Sequence, residues 1–181
     1  LPAVSRKDYI KDQQGDATMS FNYIYKNNEA NFGKPLRKQI KGGMHITIEI
    51  ILKKGNKFIA LRRDSIPGHE APHKKRKCLF FCHDLIRYGE DIEDAVKRIV
   101  KRQAGVSVED CKVVYIDSSV QSKDDQWAIT PHVIAELKAI PKTGFSGNKI
   151  YEVVLFNKKD VPKDFAWWPR KDLREFLEEF A

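Results

Sequence analysis

Apolar and polar residues fall into short runs along most of the chain, and these runs predict strands. Runs rich in β-branched and aromatic residues, bounded by glycine, proline and polar clusters, are typical of β-structure. The predicted strands cover residues 45–52, 58–62, 78–86, 113–116, 127–137 and 150–156. Between the first two strands, Gly55 and Asn56 tolerate the positive φ that a tight turn needs.

Two segments carry apolar residues at helical spacing instead. In residues 91–103 the apolar positions are Ile92, Ala95, Val96, Ile99 and Val100. Asp91 is predicted as the N-cap, with Asp94 in the capping-box position, and Gly105 is placed to end the helix. A second amphipathic helix is predicted after Pro169. Strands that surround one helix and are closed by another indicate a mixed sheet with helices on its faces.

The chain divides into an extension and a domain. Residues 1–43 form the predicted N-terminal extension, which is polar apart from a short aromatic strand candidate at residues 21–25. Residues 44–181 form the predicted domain, which is long enough to bury a core without disulfides or metal.

Composition narrows the classes of protein and of partner. Of the 181 residues, 41% are hydrophobic and 32% are charged, which is typical of a folded soluble protein. No apolar run approaches the length of about 20 residues that crosses a bilayer, so no membrane partner is expected. Three cysteines argue against a disulfide framework and favour the reducing cytoplasm. The net charge of +8 favours polyanionic partners.

A spaced motif surrounds the first predicted helix. Glu90 and Arg98 are separated by seven residues, and Val100, Gly105 and Val106 follow at fixed intervals. Residues 82–106 thereby resemble the Nudix box, G-x5-E-x7-R-E-U-x-E-E-x-G-U, in which U is a bulky apolar residue. The resemblance extends over residues 45–180. It implies an α/β (α+β) fold, the Nudix-like α/β/α sandwich with a mixed β-sheet.

The chain departs from this pattern where the family binds metal. Asp84 stands at the first glycine, and Ile99, Arg102 and Gln103 stand at the three glutamates of the family. Those glutamates hold divalent cations, and Mg²⁺ prefers anionic oxygen ligands. Ile99 offers no oxygen, Gln103 offers a neutral amide, and Arg102 repels a cation. We therefore expect no metal site, no cofactor and hydrolysis lowered by orders of magnitude.

Some acidic residues remain near the altered box. Glu90 and Asp94 are the residual catalytic candidates, joined by Asp91 and Glu93 on the same turn. If they form a relocated site, the chain is an active Nudix pyrophosphohydrolase that cleaves a nucleoside diphosphate derivative with Mg²⁺. The sequence favours the other interpretation, in which Glu90 pairs with Arg98 or Arg102 and Asp91 caps the helix. Whether the chain is an enzyme stays open, and the balance is against it.

Basic residues at and near the altered box predict a phosphate-binding surface. The predicted ligand-binding residues are Arg98, Arg102, Lys74, Lys75, Arg76 and Lys77. Aromatic residues that would stack on bases are Tyr88, Trp127, Trp167 and Trp168, although tryptophans beside a C-terminal helix are more often part of the core. The expected partner is a nucleotide or RNA, or alternatively a protein, and the resemblance leaves a homodimer open.

Histidines and cysteines gather in residues 69–83. The set comprises His69, His73, Cys78, Cys82 and His83. Zinc uses these ligand types, but the spacing matches no standard finger or ribbon. Cys78 and Cys82 are expected to share one face of the predicted strand with Phe80, which favours core packing over metal binding.

Overall fold

The computed structural model of the chain describes residues 43–63, 78–121, 126–144 and 149–181. These residues contain seven strands and two α-helices. The strands are β1 (Met44–Lys54), β2 (Lys57–Arg63), β3 (Leu79–Phe80), β4 (Cys82–Leu85), β5 (Val108–Gln121), β6 (Gln126–Leu137) and β7 (Ile150–Phe156). The helices are α1 (Ile92–Ala104) and α2 (Arg170–Phe180), and a short 3-10 turn, Lys158–Asp160, precedes α2.

The strands form one mixed sheet in the order β3-β2-β1-β6-β5, with β4 beside β1 and β7 beside β2. The β1 and β6 strands run parallel, whereas the other neighbouring strands are antiparallel. The predicted mixed sheet with helices on its faces is therefore confirmed. The predicted strand at residues 21–25 lies outside the described residues, and the division of the chain at residue 43 stays a prediction.

The central strand β1 is buried on both faces because α1 packs on one face of the sheet and α2 packs on the other. Ile48, Ile50 and Leu52 point into a core shared with α1, whereas Ile51 joins a second core with α2. The α1 core includes Val96, Ile99 and Val100, as their helical spacing predicts. The α2 core is rich in aromatic side chains, including Phe81, Phe156 and Phe165. This sandwich brings α1 against the sheet where β1 meets β4.

The segment predicted as one strand over residues 78–86 is two strands. The β3 strand pairs with β2, where Phe80 lies opposite Leu61, and β4 pairs with β1, where Cys82 lies opposite Ile50. The break falls at Phe81 because the chain there changes from one partner strand to the other. Apolar content continues across the break, so the hydrophobic pattern shows no boundary.

The β5 strand is much longer than the predicted residues 113–116. It pairs with β6 from Val108 to Gln121, with bulges between Val108 and Asp110 and between Val113 and Tyr115. Glu109, Asp110, Ser118 and Ser119 lie near its ends, so the apolar pattern marks only the middle of the strand. In the described part of the chain, no helix is both long and apolar enough to cross a bilayer.

Candidate functional site

Helix α1 carries the box residues, and local interactions define both of its ends. The side chain of Asp91 accepts a 2.8 Å hydrogen bond from the backbone N–H of Asp94. Gly105 adopts φ 72° and donates its N–H to the carbonyl of Lys101, which ends the helix in the left-handed conformation that glycine favours. The predicted N-cap and the predicted end of the helix are therefore both confirmed.

Glu90 is bound by Arg98 through two parallel hydrogen bonds. Nε and Nη2 of Arg98 each donate to one carboxylate oxygen of Glu90 at 2.6 Å. Nη2 also donates to the carbonyl of Leu85 at 3.0 Å, and the backbone N–H of Arg87 donates to Glu90 at 2.9 Å. The hydrogen bonds from Arg98 lower the pKa of Glu90 to about 2. The expected pairing is confirmed, and it leaves Glu90 ionised with both oxygens already bonded.

The two charged residues that replace box residues, Asp84 and Arg102, also pair with each other. Arg102 forms an ion pair with Asp84, and the guanidinium of Arg98 lies 3.8 Å from the same carboxylate. The four side chains Asp84, Glu90, Arg98 and Arg102 thus form a charge-balanced network along the start of the box. The side chain of Arg98 is only 18% exposed, whereas that of Arg102 is 49% exposed.

Gln103 is fully buried, and its amide bonds to both backbone groups of His83. Nε2 of Gln103 donates to the carbonyl of His83 at 2.7 Å, and the N–H of His83 donates to Oε1 at 3.1 Å. Nη2 of Arg63 donates to the same Oε1 at 3.1 Å and to the carbonyl of Phe81 at 3.3 Å. A neutral amide fits this arrangement because it supplies one donor and one acceptor.

These donors do not fit a divalent cation of the kind that the family's box holds. Ile99 is buried in the core, and the amide oxygen of Gln103 already accepts from two N–H groups. Both oxygens of Glu90 accept from N–H donors. Hard cations need several anionic oxygens directed at one point, and the guanidinium groups of Arg63, Arg98 and Arg102 oppose any cation placed among them.

A second polar cluster lies next to His83, on the α2 face of the sheet. Glu49 is buried, and its Oε2 lies 3.0 Å from Nδ1 of His83. Nε1 of Trp168 donates to the other oxygen of Glu49 at 3.2 Å. The ring of His132 stands edge-on to Trp168, with 5.6 Å between ring centroids. Within the described part of the chain, Nδ1 of His132 is buried without a hydrogen-bond partner.

Sequence reasoning did not identify Glu49, Arg63 or His132 as site residues. Glu49 could have been noticed, because it is the single charged residue in residues 46–52, where the others are apolar except for Thr47. A carboxylate inside such a stretch needs a buried partner, and here the partners are His83 and Trp168. Arg63 directly follows the predicted strand of residues 58–62 and gave no comparable signal.

The remaining predicted site residues are dispersed. Asp94 lies on the exposed side of the first turn of α1. The basic run of Lys74, Lys75, Arg76 and Lys77 lies outside the described residues. Among the aromatic candidates, Tyr88 and Trp167 are exposed, Trp127 donates to Ser118, and Trp168 bonds to Glu49.

The histidine and cysteine set does not assemble within the described residues. His69 and His73 lie outside them, and no described group of three His, Cys, Asp or Glu side chains is placed to hold a metal ion. Cys78 and Cys82 are buried, but in different clusters, so the shared face expected with Phe80 holds for Cys78 alone. Burial raises the pKa of Cys82 to about 12, which keeps it a neutral thiol.

Comparison with known proteins identifies the fold. No protein-family model matches the chain, and no curated protein matches its sequence. The chain is similar to a MutT NUDIX hydrolase from Burkholderia pseudomallei, with 13% identity and a TM-score of 0.52 over 67% of this chain and 89% of that chain. The E. coli ORF135 protein matches with 11% identity and a TM-score of 0.56 over 75% and 90% of the two chains.

An ADP compounds hydrolase matches in the same way, with 16% identity and a TM-score of 0.53 over 75% of this chain and 71% of that chain. Sequence identities this low establish the fold alone. The Nudix fold that the box-like pattern implied is confirmed.

Proposed function

We propose that this chain is a Nudix-fold binding module that has lost metal-dependent hydrolysis. One observation carries the proposal: the buried amide of Gln103 bonds to both backbone groups of His83 and to Arg63. Where the family has a metal-binding glutamate, this chain has a neutral side chain whose hydrogen bonds hold α1 to β4. The residue therefore contributes to folding instead of recruiting a cation.

The charges around Gln103 support the same proposal. Glu90 stands at the first glutamate of the box pattern, and Arg98 neutralises it. Arg102 is paired with Asp84 in turn. A cation entering this network would have to displace at least one guanidinium from a carboxylate, which costs the energy of a charge-assisted hydrogen bond.

We propose that the ligand is a nucleotide or RNA, held through its phosphates. Arg102 supports this because its side chain is 49% exposed and its carboxylate partner can be exchanged for a phosphate. The basic residues Lys74, Lys75, Arg76 and Lys77 would add charge to the same surface. Arg98 has a structural role in this proposal because Glu90 and Leu85 occupy its donors. We also propose a cytoplasmic location, which the three free cysteines favour.

Calorimetric titration with Mg²⁺ and Mn²⁺, combined with hydrolysis assays on a panel of nucleoside diphosphate derivatives, tests the loss of metal-dependent activity. We expect no saturable metal binding at millimolar concentrations and no metal-dependent release of phosphate-containing products. Arg98 already binds the carboxylate of Glu90, so Glu90 offers the cation no free anionic oxygen.

Two variants make this test decisive. Glu90→Gln removes the carboxylate of the network, whereas Asp94→Asn removes an exposed carboxylate from the first turn of α1. Metal-dependent hydrolysis in the parent that Glu90→Gln abolishes and Asp94→Asn retains would overturn the proposal. The chain would then be an active hydrolase with an unusual acidic site.

A further inference from the structure

Tyr88 presents its whole ring to solvent. The residue is 108% exposed, the highest value among the exposed apolar and aromatic residues in the described part of the chain. Its neighbour Arg87 is exposed as well. A tyrosine that is this exposed gains nothing from core packing, so core packing does not explain why an aromatic residue stands here. The ring is instead accessible to a ligand on both of its faces.

The turn that carries Tyr88 is held in place on both sides of the ring. Before it, Nη2 of Arg98 donates to the carbonyl of Leu85 at 3.0 Å. After it, the backbone N–H of Glu90 donates to the carbonyl of Arg87 at 3.0 Å, and the carboxylate of Glu90 accepts from the N–H of Arg87 at 2.9 Å. A backbone that is already ordered loses little conformational freedom when a ligand binds, so this turn suits a binding contact.

The exposed guanidinium of Arg102 lies close to this turn. Arg102 pairs with Asp84, the residue directly before Leu85, and it follows Arg98 by one turn of α1. Asp84 and Tyr88 are four positions apart along the chain, so their Cα atoms are less than about 15 Å apart. A ligand that carries both an aromatic base and phosphates can therefore contact the ring and the guanidinium at the same time.

We propose that Tyr88 stacks on an unpaired base and that the ligand of this site is single-stranded nucleic acid. The inference rests on the proposed function, in which Arg102 binds a phosphate. An exposed aromatic ring stacks on any base, because every base has a π face, and nearby cations hold the backbone. The exposed side chains of Arg87 and Arg102 supply such cations. Bases inside a duplex are already stacked on each other, so a duplex would not offer this contact.

Two substitutions of Tyr88 in the full-length chain separate stacking from other contacts. Tyr88→Phe keeps the aromatic ring, whereas Tyr88→Leu keeps an apolar side chain without a π face. Fluorescence anisotropy measures binding of a labelled single-stranded uridine oligonucleotide, of its duplex with the complementary strand, and of an abasic oligonucleotide of the same length. We expect Tyr88→Leu to raise the dissociation constant for the single strand about fivefold or more, by a similar factor at two salt concentrations. Tyr88→Phe should bind like the parent, and neither variant should change binding of the abasic chain.

The outcomes distinguish a failure of this inference from a failure of the proposed function. If the parent binds the single strand and Tyr88→Leu binds it equally well, stacking is overturned, but phosphate binding stands. The same holds if the parent binds the duplex or the abasic chain as tightly as the single strand. If the parent binds none of the three probes, the nucleic-acid ligand of the proposed function is rejected together with the stacking, and the exposed ring becomes a contact for a protein partner. Because Tyr88 is fully exposed, both variants should fold like the parent, which circular dichroism verifies.

Discussion

At the scale of single residues, the pair of Glu90 and Arg98 links stability to pH. The hydrogen bonds from Arg98 lower the pKa of Glu90 from an ordinary 4.5 to about 2. Because the folded state lowers the pKa, the pair stabilises the protein fully above the ordinary value. That contribution is lost as the pH falls from 4.5 towards 2, where the carboxylate takes up a proton in the folded state as well.

Glu90→Gln should therefore destabilise the protein mainly at neutral pH. We expect a loss of about 1.5–3 kcal/mol in the free energy of unfolding, the range for a hydrogen bond to a charged group. The difference from the parent should shrink as the pH approaches 2, and urea unfolding at several pH values measures it. Asp94→Asn, which changes an exposed carboxylate, should show a small difference that does not follow this profile. A pH-independent deficit in Glu90→Gln would contradict the assigned pair.

Gln103 is the residue whose replacement should cost the most stability in the box. Gln103→Met keeps a similar volume but removes the partners of both backbone groups of His83 and one partner of Arg63. Each unsatisfied buried polar group costs about 1–3 kcal/mol, so the combined loss should be about 3 kcal/mol or more after relaxation. Arg102→Met, at the adjacent exposed position, is the control. Equal unfolding free energies for the two variants would refute the role given to Gln103.

The sequence predicts some of these residue roles and cannot predict others. The sequence predicts that Glu90 pairs with Arg98 or Arg102, and the pair with Arg98 is confirmed. The role of Gln103 could not be predicted, because its partners are backbone groups of β4 and a side chain of β2. The same holds for Glu49 and Trp168, which meet across a separation of 119 residues. Periodicity identifies which residues face inwards, but it carries no information about such distant polar partners.

At the scale of secondary-structure elements, α1 was the most predictable part of the chain. Its apolar spacing, N-cap and terminal glycine all act within one or two turns, so the sequence contains the information that defines it. The break at Phe81 depends instead on which strand lies alongside, and the length of β5 depends on pairing with β6. Tertiary pairing of this kind overrides the local pattern.

The N-cap of α1 offers a test at this scale. Asp91→Ala removes the side-chain acceptor of the Asp94 N–H, so we expect a loss of about 1 kcal/mol in unfolding free energy. Asp91→Asn keeps an acceptor oxygen and should stay within a few tenths of a kcal/mol of the parent. Thermal unfolding of the three proteins at neutral pH distinguishes them. If alanine and asparagine have the same effect, the cap contributes through its charge and not through its hydrogen bond.

At the scale of the whole molecule, the chain combines the Nudix fold with a net positive charge. The net charge is +8, and the box contributes Lys97, Arg98, Lys101 and Arg102 on one helix. Lys97 pairs with Glu93 and Arg98 pairs with Glu90, so part of this charge is compensated locally. An excess of positive charge that is not compensated locally attracts polyanions over a distance set by the salt concentration.

Arg102→Glu should weaken the binding of a phosphate-bearing ligand more than charge reversal elsewhere. The variant places a carboxylate beside Asp84, where the parent has an exposed guanidinium, so phosphate would meet two negative charges instead of an ion pair. Lys142→Glu is the control because it makes the same change of charge at an exposed position outside α1.

Fluorescence anisotropy with labelled single-stranded RNA and with ADP-containing nucleotides, at two salt concentrations, measures the effect of both variants on binding. Binding by the parent should weaken steeply with salt, and Arg102→Glu should reduce that dependence, since each phosphate contact contributes to the slope. Parental binding that both variants retain equally, or no binding of either ligand by the parent, would reject the phosphate surface and favour a protein partner.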